Sequence, residues 1–231
     1  MNQNNNQIVA ASDISKIYKK GKTDVLALDR VSFTVKEGEF LVIMGPSGSG
    51  KTSLLNFLAG FDTPTSGELI VEGLNLARLK ESKLADWRVK NVGFIFQFYN
   101  LIPVLTAQEN VELPLIRLHL SKNEKKERSA YVLDLVGLRN RNRHFPSELS
   151  GGEEQRVAIA RAIVTDPKLI IADEPTGNLD RAAAVGVLTL MKELQKKLNK
   201  TIIMVTHDQE AAQYGERMIY LDKGKLINHP G

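Results

Sequence analysis

With 231 residues the chain is long enough for one large domain, or for one domain carrying a smaller inserted lobe. Its 42% hydrophobic and 25% charged residues are ordinary for a globular protein, and a net charge of +4 (31 basic against 27 acidic residues) is too mild for a nucleic-acid surface. No cysteine is present, which excludes disulfides and cysteine-ligated metal, and no apolar stretch approaches the ~18–20 residues that span a bilayer, so action at a membrane is expected to run through partners.

Residues 1–7, rich in Asn and Gln, have neither the basic start nor the apolar core of a signal peptide and are expected to form a disordered tail. Ile8 to Tyr18 and Val25 to Val35 alternate with β-branched residues and read as strands. Glu39 to Met44 is a short apolar run with the length of a buried strand, and Ser53 to Gly60 has helical spacing ending on a C-cap glycine. Further strands are expected at Ser66–Val71 and Asn91–Phe96. From Ala107 to Gly137 the period becomes helical, with one stripe of Val111, Leu115 and Leu118 and another of Tyr131, Leu135 and Leu138; the charged run 121–128 between them reads as a solvated helix start. After Ser150 come a helix to Thr165, a strand at 168–172, a helix at 181–198 burying Val187, Met191, Leu194 and Leu198, and a strand at 201–205. Strands alternating with helices argue for a parallel α/β core. The chain is expected to hold a P-loop NTPase core (8–97 and 151–231) with an antiparallel β subdomain, interrupted by a helical lobe at about 98–150.

Between the strand ending at Met44 and the helix starting at Ser53 stands Gly45-Pro46-Ser47-Gly48-Ser49-Gly50-Lys51-Thr52, a complete G-x-x-x-x-G-K-[ST] loop. Such a turn aims backbone N–H groups at one point, where the helix dipole also favours an anion. Lys51 then reaches the β- and γ-phosphates of a nucleoside triphosphate, and the Thr52 hydroxyl ligates Mg²⁺. The run Leu169–Ala172 closes on Asp173 and Glu174; an acid ending such a strand holds the Mg²⁺ opposite the phosphates, and its neighbour can act as general base on water. Ser150 and Glu153 fit an S-x-x-E capping box, while Gly151 and Gly152 bare a second phosphate-receiving helix start. His207 follows the strand 201–205, at the end of the sheet where α/β ligand sites gather. His119, His144 and His229 have no such context and read as surface.

The ordered set (45–52, Leu149-Ser150-Gly151-Gly152, 169–174 and Thr206-His207-Asp208) resembles the nucleotide-binding subunit of an ABC transporter over residues 8–228. That resemblance implies an ATPase whose Ser150, Gly151 and Gly152 grip the γ-phosphate of ATP held by the loop Gly45–Ser53 of a second copy, in a head-to-tail dimer. It also implies that Gln97 touches Mg²⁺ and the attacking water, that His207 contacts the γ-phosphate, that Tyr18 stacks on adenine, and that Gly177–Asp180 crosses the dimer interface, with Asp180 near the nucleotide. One position departs from the family pattern: the fifth signature residue, usually Gln, is Glu153, which adds negative charge near a nucleotide.

Val92 to Pro103, Leu105 to Val111 and Asp173 to Asp180 are similar to the lipoprotein-releasing and macrolide-export group. There a bacterial permease with a large extracytoplasmic domain acts mechanically rather than as a pore. By that likeness the subunit sits at the cytoplasmic face of the inner membrane, and Phe98, Tyr99, Leu101 and Ile102 line a groove for the permease; otherwise they pack inside the helical lobe. The competing reading is a soluble ABC-type ATPase acting on nucleic acid or the ribosome. Such proteins carry a long coiled coil or two cassettes, and this chain has one compact cassette with no heptad run and no basic tract.

Overall fold

The computed structural model describes residues 6–21 and 23–227. Its first strands, β1 (Gln7–Lys20) and β2 (Thr23–Lys36), pair antiparallel; β1 also pairs with β4 (Ser66–Val71), and β4 with the short β5 (Leu74–Asn75), giving a four-stranded antiparallel sheet. β1 starts inside the segment expected to be a tail, and residues 1–5 and His229 lie outside the described residues.

The second sheet has six strands: β3 (Phe40–Met44), β6 (Val92–Ile95), β7 (Leu169–Asp173), β8 (Thr201–Thr206), β9 (Arg217–Asp222) and β10 (Lys225–Ile227). Their order across the sheet is β10-β9-β3-β8-β7-β6, parallel from β9 to β6. Alternate residues of the middle strands bury on opposite faces, which is why these strands read as unbroken apolar runs. Phe40, Val42, Ile170, Ala172, Ile202 and Met204 join the core shared with the helices between Ala107 and Ala212, whereas Leu41, Ile43, Ile171, Ile203 and Val205 pack with the antiparallel sheet.

α1 (Lys51–Leu58) follows β3, and α2 (Glu81–Asn91) precedes β6. α3 (Ala107–Glu112) and α4 (Lys122–Leu135) pack on α5 (Gly151–Ile163); α6 (Arg181–Leu198) and the short α7 (Gln209–Ala212) complete the order. α5 lies directly on β6 because Gly93 has no side chain: a Cβ there would collide with the carbonyl oxygen of Ala162. The stripe Val111, Leu115 and Leu118 packs inward as expected. The second stripe is corrected: Tyr131 and Leu135 are exposed, and α4 instead buries Ser129, Val132 and Leu133. Leu198, expected on the buried face of α6, is also exposed, because the helix ends there in the left-handed Asn199.

Candidate functional site

Parallel strands end on the same side of their sheet, so strand order decides which motifs become neighbours. Here β3 delivers the glycine-rich loop, β8 delivers His207, β7 delivers Asp173 and Glu174, and β6 delivers Gln97, in that lateral sequence.

The loop opens onto a pocket of about 460 Å³ shared by Tyr18, Ser47, Gly48, Gly50, Lys51, Thr52, Ser53, Asp173 and Glu174. Gly50, the N-cap of α1, has φ 104° and approaches closely: a Cβ would stand 2.5 Å from the carbonyl oxygen of Ala27. No side chain caps α1, so the first-turn N–H groups, which have no intrahelical acceptor, are left for an anion. Lys51 is buried and its Nζ donates to the carbonyls of Gly45 (2.6 Å) and Pro46 (2.8 Å), lying across its own loop. Ser49 Oγ is buried with no protein partner, a polar atom left over inside the cradle. The turn after β9 braces the loop from behind, through the Gly224 N–H on the Ser49 carbonyl at 3.0 Å. Tyr18 stands at the rim with its hydroxyl on Asp62 (2.9 Å), and the Lys16 ammonium lies 5.0 Å from its ring centroid.

Across the pocket, Glu174 adopts φ 44°, a left-handed conformation rare outside glycine, with its N–H on the Val205 carbonyl at 3.0 Å. Oε1 of Glu174 lies 2.9 Å from Nδ1 of His207, and since a carboxylate only accepts, the imidazole carries its proton on Nδ1. Burial, and then the charge of Glu174, push the Asp173 carboxyl above the usual carboxylate range, with Lys51 opposing. Burial also lowers the Lys51 ammonium, against the pull of Glu174 and Asp173.

A carboxyl whose folded pKa is raised disfavours the folded state once it ionises: stability is lost as pH rises above the unfolded value of 3.8, and the full penalty is present above the folded value. Asp173→Asn removes the penalty. In the nucleotide-free protein it should melt higher than the parent at pH 7, by an amount that shrinks toward pH 4. A melting series across pH checks this result; equal melting at all pH values would contradict the burial argument.

The structure does not bring every expected residue into this pocket. Gln97 sits beside the loop that follows Glu174: its carbonyl accepts from Asn178 Nδ2 (3.0 Å), and its Nε2 packs on Gly177. The carboxylate of Asp180 caps α6 by accepting from the Ala183 N–H at 2.8 Å. Ser150 caps α5 in the expected box: its Oγ accepts from the Glu153 N–H (3.3 Å), and Glu153 Oε2 accepts from the Ser150 N–H (2.9 Å). Helix α5 therefore starts at Gly151. The glycines give α5 room to approach its neighbours, since a Cβ on Gly151 would stand 3.1 Å from the Tyr99 hydroxyl and one on Gly152 3.1 Å from Ala183 Cβ. None of Ser150, Gly151 and Gly152 lines the pocket at the loop.

Of the segment after Gln97, Phe98 is 70% exposed and Ile102 40%, whereas Leu101 packs on the core and Tyr99 turns toward Gly151. A contact unforeseen in the sequence holds this segment: Arg161 donates from Nη1 to the Asn100 carbonyl (2.5 Å) and from Nη2 to the Tyr99 carbonyl (2.6 Å), and both of those residues have positive φ. Nothing in the local pattern marks Arg161 for that role, because its partners are about sixty residues away. Beside it opens a groove of about 350 Å³ walled by Phe61, Phe94 and Phe96 and rimmed by Arg88, Arg117 and Arg161. Among the described residues no helix is long and apolar enough to cross a membrane.

An uncapped helix start behind a glycine loop, faced by two strand-end carboxylates, defines a P-loop nucleoside-triphosphate-binding protein. The chain belongs to the ABC transporter family, whose profile matches residues 28–177. It is 46% identical over 220 residues to an uncharacterised ABC transporter ATP-binding protein of Methanocaldococcus jannaschii, covering 95% of this chain and 98% of that one. It is also 46% identical over 223 residues to the lipoprotein-releasing system ATP-binding protein LolD of Psychrobacter arcticus, covering 96% and 99%. The fold superposes with a TM-score of 0.87, at 43% identity and over 95% and 97% of the two chains, on the ATP-binding cassette MJ0796 of M. jannaschii, solved as a dimer in a post-hydrolysis state with ADP and Pi.

Proposed function

We propose that this chain is the ATP-hydrolysing subunit of a transporter: it holds ATP at Gly45–Ser53, closes with a second copy around two ATP molecules, and passes the motion to a separate membrane permease. One observation carries the reading. The chain presents two phosphate-receiving helix starts, at α1 and α5, and the second has no part in the pocket of the first. A single copy therefore leaves Ser150–Gly152 without a phosphate, and a head-to-tail partner supplies one.

Within the composite site Lys51 and the first-turn N–H groups of α1 take the phosphates, and Tyr18 offers its ring to adenine. Thr52 and Asp173 offer hydroxyl and carboxylate oxygens at the pocket, a hard-oxygen set suited to Mg²⁺ alongside nucleotide phosphates, and Gln97, outside the pocket in the single copy, adds its amide oxygen on closure. When bound, that ion neutralises phosphate charge. Glu174 takes the proton of the attacking water. His207 holds the Glu174 carboxylate through Nδ1, and in this reading its ring turns to the γ-phosphate. Gly177–Asp180 crosses to the second copy, with Asp180 fixing the start of α6.

The exposed Phe98 and Ile102, with the aromatic groove beside Arg161, support this segment as the surface for the permease, and in this reading the subunit sits at the cytoplasmic face of an inner membrane. The relatives of the lipoprotein-releasing group support an export or lipoprotein-release system. The test combines two variants. Lys51→Ala empties one loop but keeps Ser150, and Ser150→Arg keeps the loop but blocks its partner. Each alone should be inactive, and their mixture should regain hydrolysis through one intact composite site. An inactive mixture, or activity linear in protein down to the monomer range, contradicts the dimer. Co-expression with the permease should move the chain to the membrane fraction; sedimentation with ribosomes or DNA instead would favour the nucleic-acid reading.

A further inference from the structure

The acid at the fifth signature position creates an electrostatic conflict. A carboxylate three residues into a helix stabilises that helix, since it accepts the N-cap N–H and complements the dipole. The same carboxylate opposes a triphosphate arriving at the same helix start. Across several ångströms of protein-like surroundings, a like-charge contact of this kind weakens anion binding on the order of tenfold or more.

The structure carries its own counter-charge. Oε1 of Glu153 accepts from Nε of Arg141 at 3.0 Å, while Oε2 remains on the Ser150 N–H. The Arg141 side chain is half-exposed, but its backbone is held in place. It belongs to the segment between α4 and α5, where its Nη1 lies 3.2 Å from Nε2 of His144. The start of α3 pins that segment through the Ala107 N–H on the His144 carbonyl (2.8 Å) and the Gln108 N–H on the Asn142 carbonyl (2.9 Å). The Ser150 N–H, and then Arg141, hold the Glu153 carboxyl below the usual carboxylate range against the effect of burial, so the acid stays charged and needs its partner. Meanwhile Ser150 Oγ accepts from the Glu153 N–H, which leaves its own proton to donate outward.

We propose that Arg141 is a positioning residue for the trans ATP: by pairing with Glu153 it neutralises the acid that caps the signature helix, so that the Ser150 hydroxyl and the bare N–H groups of α5 can receive a γ-phosphate. The inference rests on the two-copy reading above. It also accounts for the departure from glutamine, because Glu153 and Arg141 together present the neutral surface that a glutamine presents alone.

The experiment uses the full chain in a Glu174→Gln background, where closed dimers accumulate, and reads the ATP concentration at half-maximal dimerisation by light scattering. Arg141→Gln should raise that midpoint about tenfold while ATP binding to the monomer, measured by calorimetry with Ser150→Arg present to prevent closure, stays within about twofold. The defect should shrink in high salt, where the screening length falls to about 3 Å at 1 M. Arg141→Lys, which keeps the charge, should close like the parent. Adding Glu153→Gln to Arg141→Gln should restore the midpoint, an outcome that loss of a mere structural brace would not give. An unchanged midpoint in Arg141→Gln, or no recovery in the double variant, overturns the inference alone. Failure of the Glu174→Gln parent to dimerise with ATP overturns the two-copy reading and the inference with it.

Discussion

Replacing Glu174 by Gln should slow ATP hydrolysis by about 10²–10⁴-fold, the usual loss when a general base is removed. Size is conserved, the left-handed turn at φ 44° is unaffected, and the amide oxygen can still accept from Nδ1 of His207. What disappears is the proton acceptor and a negative charge beside Asp173. ATP should therefore bind at least as tightly as in the parent, and the variant should run as an ATP-locked dimer on size exclusion. Rates from a phosphate-release assay check the first result and chromatography the second. Near-normal turnover would remove Glu174 from the chemistry and shift suspicion to His207.

Lys51→Ala should act earlier, on binding. The ammonium lies among the loop carbonyls of Gly45 and Pro46, within the fields of Asp173 and Glu174, so it is already placed where phosphates arrive. Hydrogen bonds to charged groups contribute about 1.5–3 kcal/mol each, so losing one such contact weakens ATP binding roughly ten- to a hundredfold. In the proposed site two phosphate groups share this lysine, so hydrolysis should become undetectable. Calorimetric titration with ATP gives the affinity. Parental affinity would mean that the backbone cradle alone holds the nucleotide.

The site was legible in the sequence wherever the chemistry demands a residue type at fixed spacing. The glycine loop, the strand-end acids and the capping box at Ser150 are local, and each stands at the end of an element whose apolar run is unmistakable. The fold class followed from the same alternation of strands and helices, and the superposition on the archaeal cassette agrees with it. Where the pattern failed, the reason is physical. α2 buries only Leu84 and Trp87 and is charged on its other faces, so it leaves no stripe to read. The strand β9 is largely half-exposed and has no alternation. On α4 the inward face includes Ser129, whose hydroxyl donates to Glu112 Oε1 at 2.9 Å and accepts from Gln108 at 3.2 Å; a buried polar network displaced the stripe that Tyr131 and Leu135 had suggested. The pairs Arg161–Tyr99 and Arg141–Glu153 depend on how distant segments are packed, which spacing does not encode.

Helix α5 bears Ser150 at one end and, near the other, Arg161 gripping the carbonyls of Tyr99 and Asn100. Its middle is locked into the core by Val157, Ile159 and Ala160. A helix rises about 1.5 Å per residue, so some 16 Å separate the two ends, and a tilt of about 5° displaces Ser150 by roughly 1.5 Å. Hydrogen bonds weaken steeply over that range: from about 2.9 Å, such a shift passes beyond any useful contact. In the proposed two-copy reading, closure around ATP would then be gated by angle rather than by distance travelled, with a small push beside Phe98 deciding whether the second half of the site engages.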